Sequence, residues 1–192
     1  LSQDVSVLTD YFKAQAEKQG LAPAYYSKIG DEWSSISWAD FFTAAQQIAG
    51  GLDRVNITSG DVIGILAPTS LQWELSQVAI LLRGATVVGL DAHDLPERLE
   101  QIIRTSGVRG LFVEDAKTLQ RIPAAIWPQL EFAICLSEDD ALTTPPTNYS
   151  GTWRTMESIK NDNPTQQLGD VSPQTIATTI STPRTTGQPK AT

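Results

Sequence analysis

Cysteine and histidine are almost missing from this chain: Cys135 and His93 are the only examples in 192 residues. One thiol and one imidazole cannot build a disulfide framework or a thiolate metal cage, so a reducing, cytoplasmic setting is expected. Positive charge is scarce too. With 14 Lys+Arg against 22 Asp+Glu, the net charge is −8 and the pI about 4.6. That gives no basic surface to track a phosphate backbone, which argues against nucleic acid or an anionic membrane as the main partner. Long apolar runs are lacking as well. No stretch approaches the roughly 18 residues of a membrane span, and the opening Leu1-Ser-Gln-Asp4 has neither the basic nor the apolar region of a signal peptide. No integral membrane segment is therefore expected. What is present is 41% apolar, in a length that suits one domain with a real core or one large piece of something bigger.

The apolar residues fall into an alternating order of helix and strand. Asp4 is placed to cap a first helix in which Val5, Leu8, Phe12 and Ala16 keep helical spacing and Gly20 marks the stop. Pro23–Ile29 and Trp33–Ser37, around Gly30-Asp31, read as a hairpin. Ser37 then opens a helix with Phe41, Ala45, Ile48, Ala49 and Leu52 on one stripe. Val62–Leu66 is a continuous apolar strand of the kind covered on both faces in a parallel sheet. Thr69 and Gln72 have capping-box spacing for the helix that follows, and Gly84 is placed to end it. Thr86–Leu90 is the next strand. A helix carrying Pro96 in its first turn, with Asp94 as a cap and Gly107 as its stop, leads to the strand Leu111–Val113. A short helix near 116–121 precedes the strand Phe132–Leu136. Repeated strand, helix and strand imply parallel pairing, because parallel strands need long return connections. The expected fold class is α/β, a mainly parallel sheet with helices on both faces and a small N-terminal hairpin. Ser137–Thr152 has loop composition, Trp153–Lys160 reads as a short surface helix, and Gln174–Ile180 reads as a β-branched strand.

That last strand runs into Ser181-Thr-Pro-Arg-Thr-Thr-Gly-Gln-Pro-Lys190, a concentration of hydroxyls with one Gly and two cations. Hydroxyls and exposed backbone N–H groups donate to phosphate oxygens, Gly lets the backbone approach closely, and Lys supplies a point charge. Arg184 and Lys190 are the only cations after Lys160, a local exception in an acidic chain. The Gly-x-x-x-x-Gly-Lys-Ser/Thr spacing of the Walker loop is not there. Composition alone leaves the alternative of a polar chain end without fixed structure open.

Ile180-Ser-Thr-Pro-Arg-Thr-Thr-Gly-Gln-Pro-Lys-Ala191 resembles the phosphate loop of adenylate-forming enzymes, whose pattern is Thr-Ser-Gly-Thr-Thr-Gly-x-Pro-Lys-Gly. Upstream, Trp33–Trp38, Gly60–Ile65, Trp73–Leu75, Leu82–Val87 and Leu111–Asp115 stand in that family's order, with the flavour of long-chain acyl-CoA synthetases. The resemblance implies an enzyme that activates a carboxylic acid, here a fatty acid, by attack on the α-phosphate of ATP with Mg²⁺. The acyl-adenylate then passes to the thiol of CoA or an acyl-carrier protein. Carried over by residue, Thr182, Arg184, Thr185, Thr186, Gly187 and Lys190 bind the ATP phosphates. Fixed donors matter there because charge moves onto the leaving pyrophosphate. Three positions depart from the pattern: Pro183 replaces Ser and removes a backbone N–H, Arg184 replaces Gly and adds a guanidinium, and Ala191 replaces the final Gly.

The family's Tyr-Gly-x-Thr-Glu stretch, ribose-binding Asp and catalytic Lys lie downstream of the phosphate loop and do not occur before Thr192. The chain is thus expected to be a single N-terminal subdomain over residues 1–192, loop-rich over 137–173, with the phosphate loop at 181–191 and the C-terminal remainder absent. By itself it is expected to be inactive. The alternative is a truncated or degenerate module that keeps the sheet and serves protein interaction. Among other clusters, Asp91-Ala-His-Asp94 is a polar turn after a strand, expected to face solvent rather than a metal, and Asp94 already has its capping role. Trp38 and Trp73 border amphipathic helices and read as core packing, and Cys135 inside an apolar strand reads as an inert buried thiol.

Overall fold

A computed structural model describes residues 7–139, 143–162, 168 and 171–180, with the side chain of Ile29 left aside. A first helix, α1 (Leu8–Gln19), leads into the antiparallel hairpin β1 (Pro23–Ile29) and β2 (Glu32–Ser37). α2 (Trp38–Gly51) follows directly, because the Ser37 hydroxyl accepts from the Asp40 N–H and satisfies an orphan donor of its first turn. Then β3 (Val62–Leu66), α3 (Leu71–Leu82), β4 (Thr86–Leu90), α4 (Pro96–Ser106), β5 (Gly110–Val113), α5 (Ala116–Leu119) and β6 (Phe132–Cys135) alternate as the apolar runs predict. β7 (Thr152–Thr155), α6 (Met156–Lys160) and β8 (Thr178–Thr179) complete the described chain.

All six strands from β3 to β8 join one parallel sheet in the order β7-β6-β5-β3-β4-β8. Side chains alternate across it, so each strand feeds two cores. Ile63, Ile65, Val87, Phe112 and Ile134 meet Ala45, Ile48, Val78, Ala79 and Ile159 from α2, α3 and α6 on one face. Leu66, Val88, Leu111, Val113 and Ala133 meet Leu99, Ile103, Leu119 and Ile126 on the other. Both layers are apolar and buried, and burying each such aliphatic side chain contributes about 1.5–3 kcal/mol before chain entropy is counted. The α/β class with helices on both faces is therefore what the sequence forms. Gly20, Gly84 and Gly107 stand at positive φ of 47°, 68° and 67° at the ends of α1, α3 and α4, a backbone region that glycine enters without penalty.

Several local expectations are corrected. α1 starts from Val7 with no side-chain cap, while Asp4 and Val5 lie outside the described residues. The cap of α3 is Ser70, one residue beyond Thr69, because its Oγ accepts from the Trp73 N–H at 3.2 Å. α4 begins at Leu95 without a side-chain cap, and Asp94 instead pairs with Arg98 at 3.3 Å. Trp153 opens no helix. Thr152–Thr155 is the outer strand β7, and the helix after it buries Met156 and Ile159 rather than lying on the surface. The last strand is shorter than Gln174–Ile180: only Thr178 and Thr179 pair with β4.

Candidate active-site edge

Parallel strands all point their carboxyl ends the same way, and in open α/β sheets that edge is where ligands are held. Here the chain runs from β3 through α3 to β4 on one side and returns through α4 to β5 on the other side of β3. The reversal opens the edge on both sides of the Ala67–Ser70 turn. A cleft of about 370 Å³ between β3 and β4 is lined by Pro68, Thr69, Trp73, Gly89, Asp91 and His93. A second, of about 340 Å³ between β3, β5 and β6, is lined by Pro68, Ser70, Gln72, Glu114, Ser137 and Glu138.

Gly89 and the indole of Trp73 both line the first cleft, with Cζ2 3.9 Å from where a Cβ on Gly89 would stand, an ordinary van der Waals distance. Trp73 therefore does two things: it packs on the α2–α3 core, as expected, and it walls the cleft. Trp38 has only the packing role, against Phe12 and Phe41 with ring centroids 6.5 and 6.4 Å away. At the mouth, Asp91 Oδ1 accepts from the His93 N–H at 2.8 Å and lies 3.1 Å from its ring Nδ1. The His93 backbone bond first, then the ring, hold the Asp91 carboxyl below the usual carboxylate range. Asp94 turns away to Arg98, so the Asp91–Asp94 cluster is split between the cleft and α4. Among the described residues no three His, Cys, Asp or Glu side chains group as metal ligands. On the neighbouring helix, burial raises the Glu74 carboxyl. Burial also pushes the Cys135 thiol up, which disfavours the thiolate.

β8 is the element that links this edge to the phosphate-loop sequence. Val87 pairs with Thr178 and Val88 with Thr179, in parallel. The Val87 N–H donates to the Ala177 carbonyl at 2.9 Å, and the Thr86 hydroxyl to the Ile176 carbonyl at 2.7 Å. Ile180 thus emerges at the carboxyl end of the sheet, next in register to Gly89. The candidate phosphate ligands Thr182, Arg184, Thr185, Thr186, Gly187 and Lys190 lie outside the described residues. The cleft residues Thr69 and Gly89 and the second cleft as a whole were not singled out from sequence. Their one readable signal is position, since each follows or ends a strand whose successor lies on the other side.

Comparison with known proteins bears on the whole chain. Residues 12–192 match the AMP-binding enzyme family. A long-chain-fatty-acid–CoA ligase, ACSBG2 of Xenopus laevis, is 28% identical over 185 residues, which is 93% of this chain and 25% of the ligase. The human ACSBG2 ligase is 26% identical over 187 residues, 95% of this chain and 28% of its own length. This chain thus spans about a quarter of the relatives it matches. Among solved structures, a long-chain-fatty-acid–CoA ligase (FadD1) from Archaeoglobus fulgidus superposes with a TM-score of 0.75 at 20% identity, covering 96% of this chain and 35% of the other. The anthranilate CoA ligase AuaEII, solved with anthranoyl-AMP, gives 0.78 at 22% identity, covering 95% and 33%. These likenesses establish the fold. Because the family match covers almost the entire sequence, the chain belongs to the AMP-binding enzymes.

Proposed function

We propose that this chain is the N-terminal, phosphate-holding part of an ATP-dependent ligase that joins a carboxylic acid, in the first instance a fatty acid, to the thiol of CoA or a carrier protein. The observation that carries the reading is the parallel seat of β8 beside β4. β8 ends at the carboxyl edge of the sheet, beside the cleft of Thr69, Trp73, Gly89 and Asp91, and the threonine-containing segment 181–191 follows it in sequence. In this reading Thr182, Arg184, Thr185, Thr186, Gly187 and Lys190 hold the ATP phosphates while the acid carboxylate attacks the α-phosphate and pyrophosphate leaves. The names of the matched ligases support the acid class. Among the described residues no carboxylates group as a ligand set that would hold Mg²⁺ by protein side chains alone. The fragment alone is inactive in this reading, because it spans a quarter of its relatives.

A second reading, a non-catalytic interaction module that keeps the sheet, is favoured by Pro183 and Arg184, which replace a donor and a glycine in the loop pattern. Acid-dependent ATP–pyrophosphate exchange, measured on the longest native product containing this sequence, separates the two. The ligase reading expects exchange with a fatty acid and a fall of about 100-fold in Thr185→Ala/Thr186→Ala, the scale for losing transition-state donors. No exchange with any acid tested sinks it in favour of the module.

A further inference from the structure

Ser137 stands two residues beyond the end of β6 and is followed by Glu138, Asp139 and Asp140. No other serine or threonine in the sequence has an acid at each of the next three positions. An acid three residues after the hydroxyl occurs at two further places, Ser37 with Asp40 and Thr58 with Asp61. In both of these the turn uses up the pair. Ser37 Oγ donates to the Asp40 carboxylate at 2.7 Å, and Thr58 Oγ1 donates to that of Asp61 at 3.1 Å. Ser137 is built differently. Its hydroxyl oxygen accepts from the Asp139 N–H at 3.1 Å, and Glu138 and Asp139 are exposed. The Ser137 N–H donates to the Glu114 carbonyl at 2.9 Å, which fixes the residue at the carboxyl edge of the sheet, where its side chain lines the second cleft.

We propose that Ser137 is a phosphorylation site for a protein kinase that reads acidic residues after its target serine, and that the added phosphate opposes ATP at the carboxyl edge. The second half rests on the ligase reading. Kinases choose substrates by charge pattern, and three successive acids complement a basic peptide groove. In the transfer, Ser137 Oγ attacks the γ-phosphorus of the kinase-bound ATP and gives up its proton. The bond from that phosphorus to the bridging oxygen breaks, and ADP leaves with the electron pair. The product carries about −1.5 to −2 charge at neutral pH. Glu114, Asp115 and Glu138 line the same cleft, and no Lys or Arg stands among its described lining residues, so nothing there neutralises the phosphate. Ala67 and Pro68 line this cleft and the Trp73–Gly89 cleft alike. The new charge therefore lies one turn of chain away from the candidate nucleotide edge, and like charges repel across it.

The test incubates the longest native product containing this sequence with ATP and a purified serine kinase of acidic specificity, and locates phosphate by fragment mass spectrometry. Phosphate is expected on Ser137 and is lost in Ser137→Ala. Glu138→Gln/Asp139→Asn, which keeps the serine, is expected to lower kinase kcat/KM at least about 10-fold. Absence of phosphate, phosphate on other residues alone, or equal labelling of the double variant overturns the site. The phosphorylated protein is then expected to show a KM for ATP in acid-dependent pyrophosphate exchange raised at least about 5-fold, the low end of coupling between two sites. Ser137→Ala treated with the same kinase keeps its KM. An unchanged KM in the phosphorylated protein overturns the opposition to ATP. The ligase reading fails separately: phosphate on Ser137 in a product that shows no exchange before or after labelling keeps the modification site and removes the activity.

Discussion

The two end strands of the sheet are both short and rich in threonine, yet the described residues cover one far more than the other. At β7, Trp153 donates its indole N–H to the Thr143 carbonyl at 2.5 Å, and Tyr149 stands edge-on between Trp127 and Trp153 at 6.1 and 6.3 Å. Arg154 folds back to Asp162 at 2.5 Å and Ser158 at 3.1 Å. α6 then anchors the strand to the sheet's face by pressing Ile159 against Gly51 of α2. At β8 the described chain supplies an inner partner and two exposed isoleucines. The contrast teaches that a sheet edge is sealed by partners that flanking chain supplies to the strand's own side chains, as Thr143 and Asp162 do for Trp153 and Arg154.

Four changes test that contrast. The largest effect belongs to Gly51→Ala, because an added Cβ would overlap the Ile159 backbone carbonyl and neither backbone yields cheaply. A loss of about 2–3 kcal/mol is expected in urea unfolding, and an unchanged midpoint would mean that α6 does not anchor the closed edge. Next is Tyr149→Phe. It removes the hydroxyl that donates to the Leu130 carbonyl at 3.1 Å, at a cost of about 1 kcal/mol. It should also change the response to alkali. Burial raises the Tyr149 phenol above its ordinary value, so the folded state keeps a proton that the unfolded state gives up. Its stabilisation is complete below about pH 10 and is lost as pH rises towards the folded value. Tyr149→Phe should lack this component of alkaline unfolding. Arg154→Ala should cost about 0.5–1 kcal/mol, since the pair with Asp162 is partly solvent-screened at 30% and 23% side-chain exposure. The smallest effect is expected for Ile176→Lys in the 192-residue chain, within about 0.5 kcal/mol. A larger loss would show that the open edge is already covered.

The same contrast explains what was legible in the residues. β3, β4, β5 and β6 are buried on both faces, so each is written as an uninterrupted apolar run such as Val-Ile-Gly-Ile-Leu. β7 reads Thr-Trp-Arg-Thr and has no such run, because an edge strand needs apolar residues only where something covers it. Its pairing with β6 is a long-range fact that local pattern does not carry. The cap of α3 slipped by one residue because Thr69 and Ser70 both offer a hydroxyl, and only the turn geometry decides which one meets the Trp73 N–H. Of the candidate site, segment 181–191 is proposed from its motif alone and lies outside the described residues. The cleft of Trp73 and Gly89 brings together residues of α3 and β4, a juxtaposition that local pattern does not carry.

The Thr86–Ile176 hydrogen bond joins residues 90 positions apart. A contact that spans so much chain forms late, since the entropy of closing the loop must be met before the pairing rewards it. β8 has no place to dock until β4 is set in the sheet. Of the described strands, β8 is therefore the one expected to be set last, although it stands beside the cleft of Trp73 and Gly89.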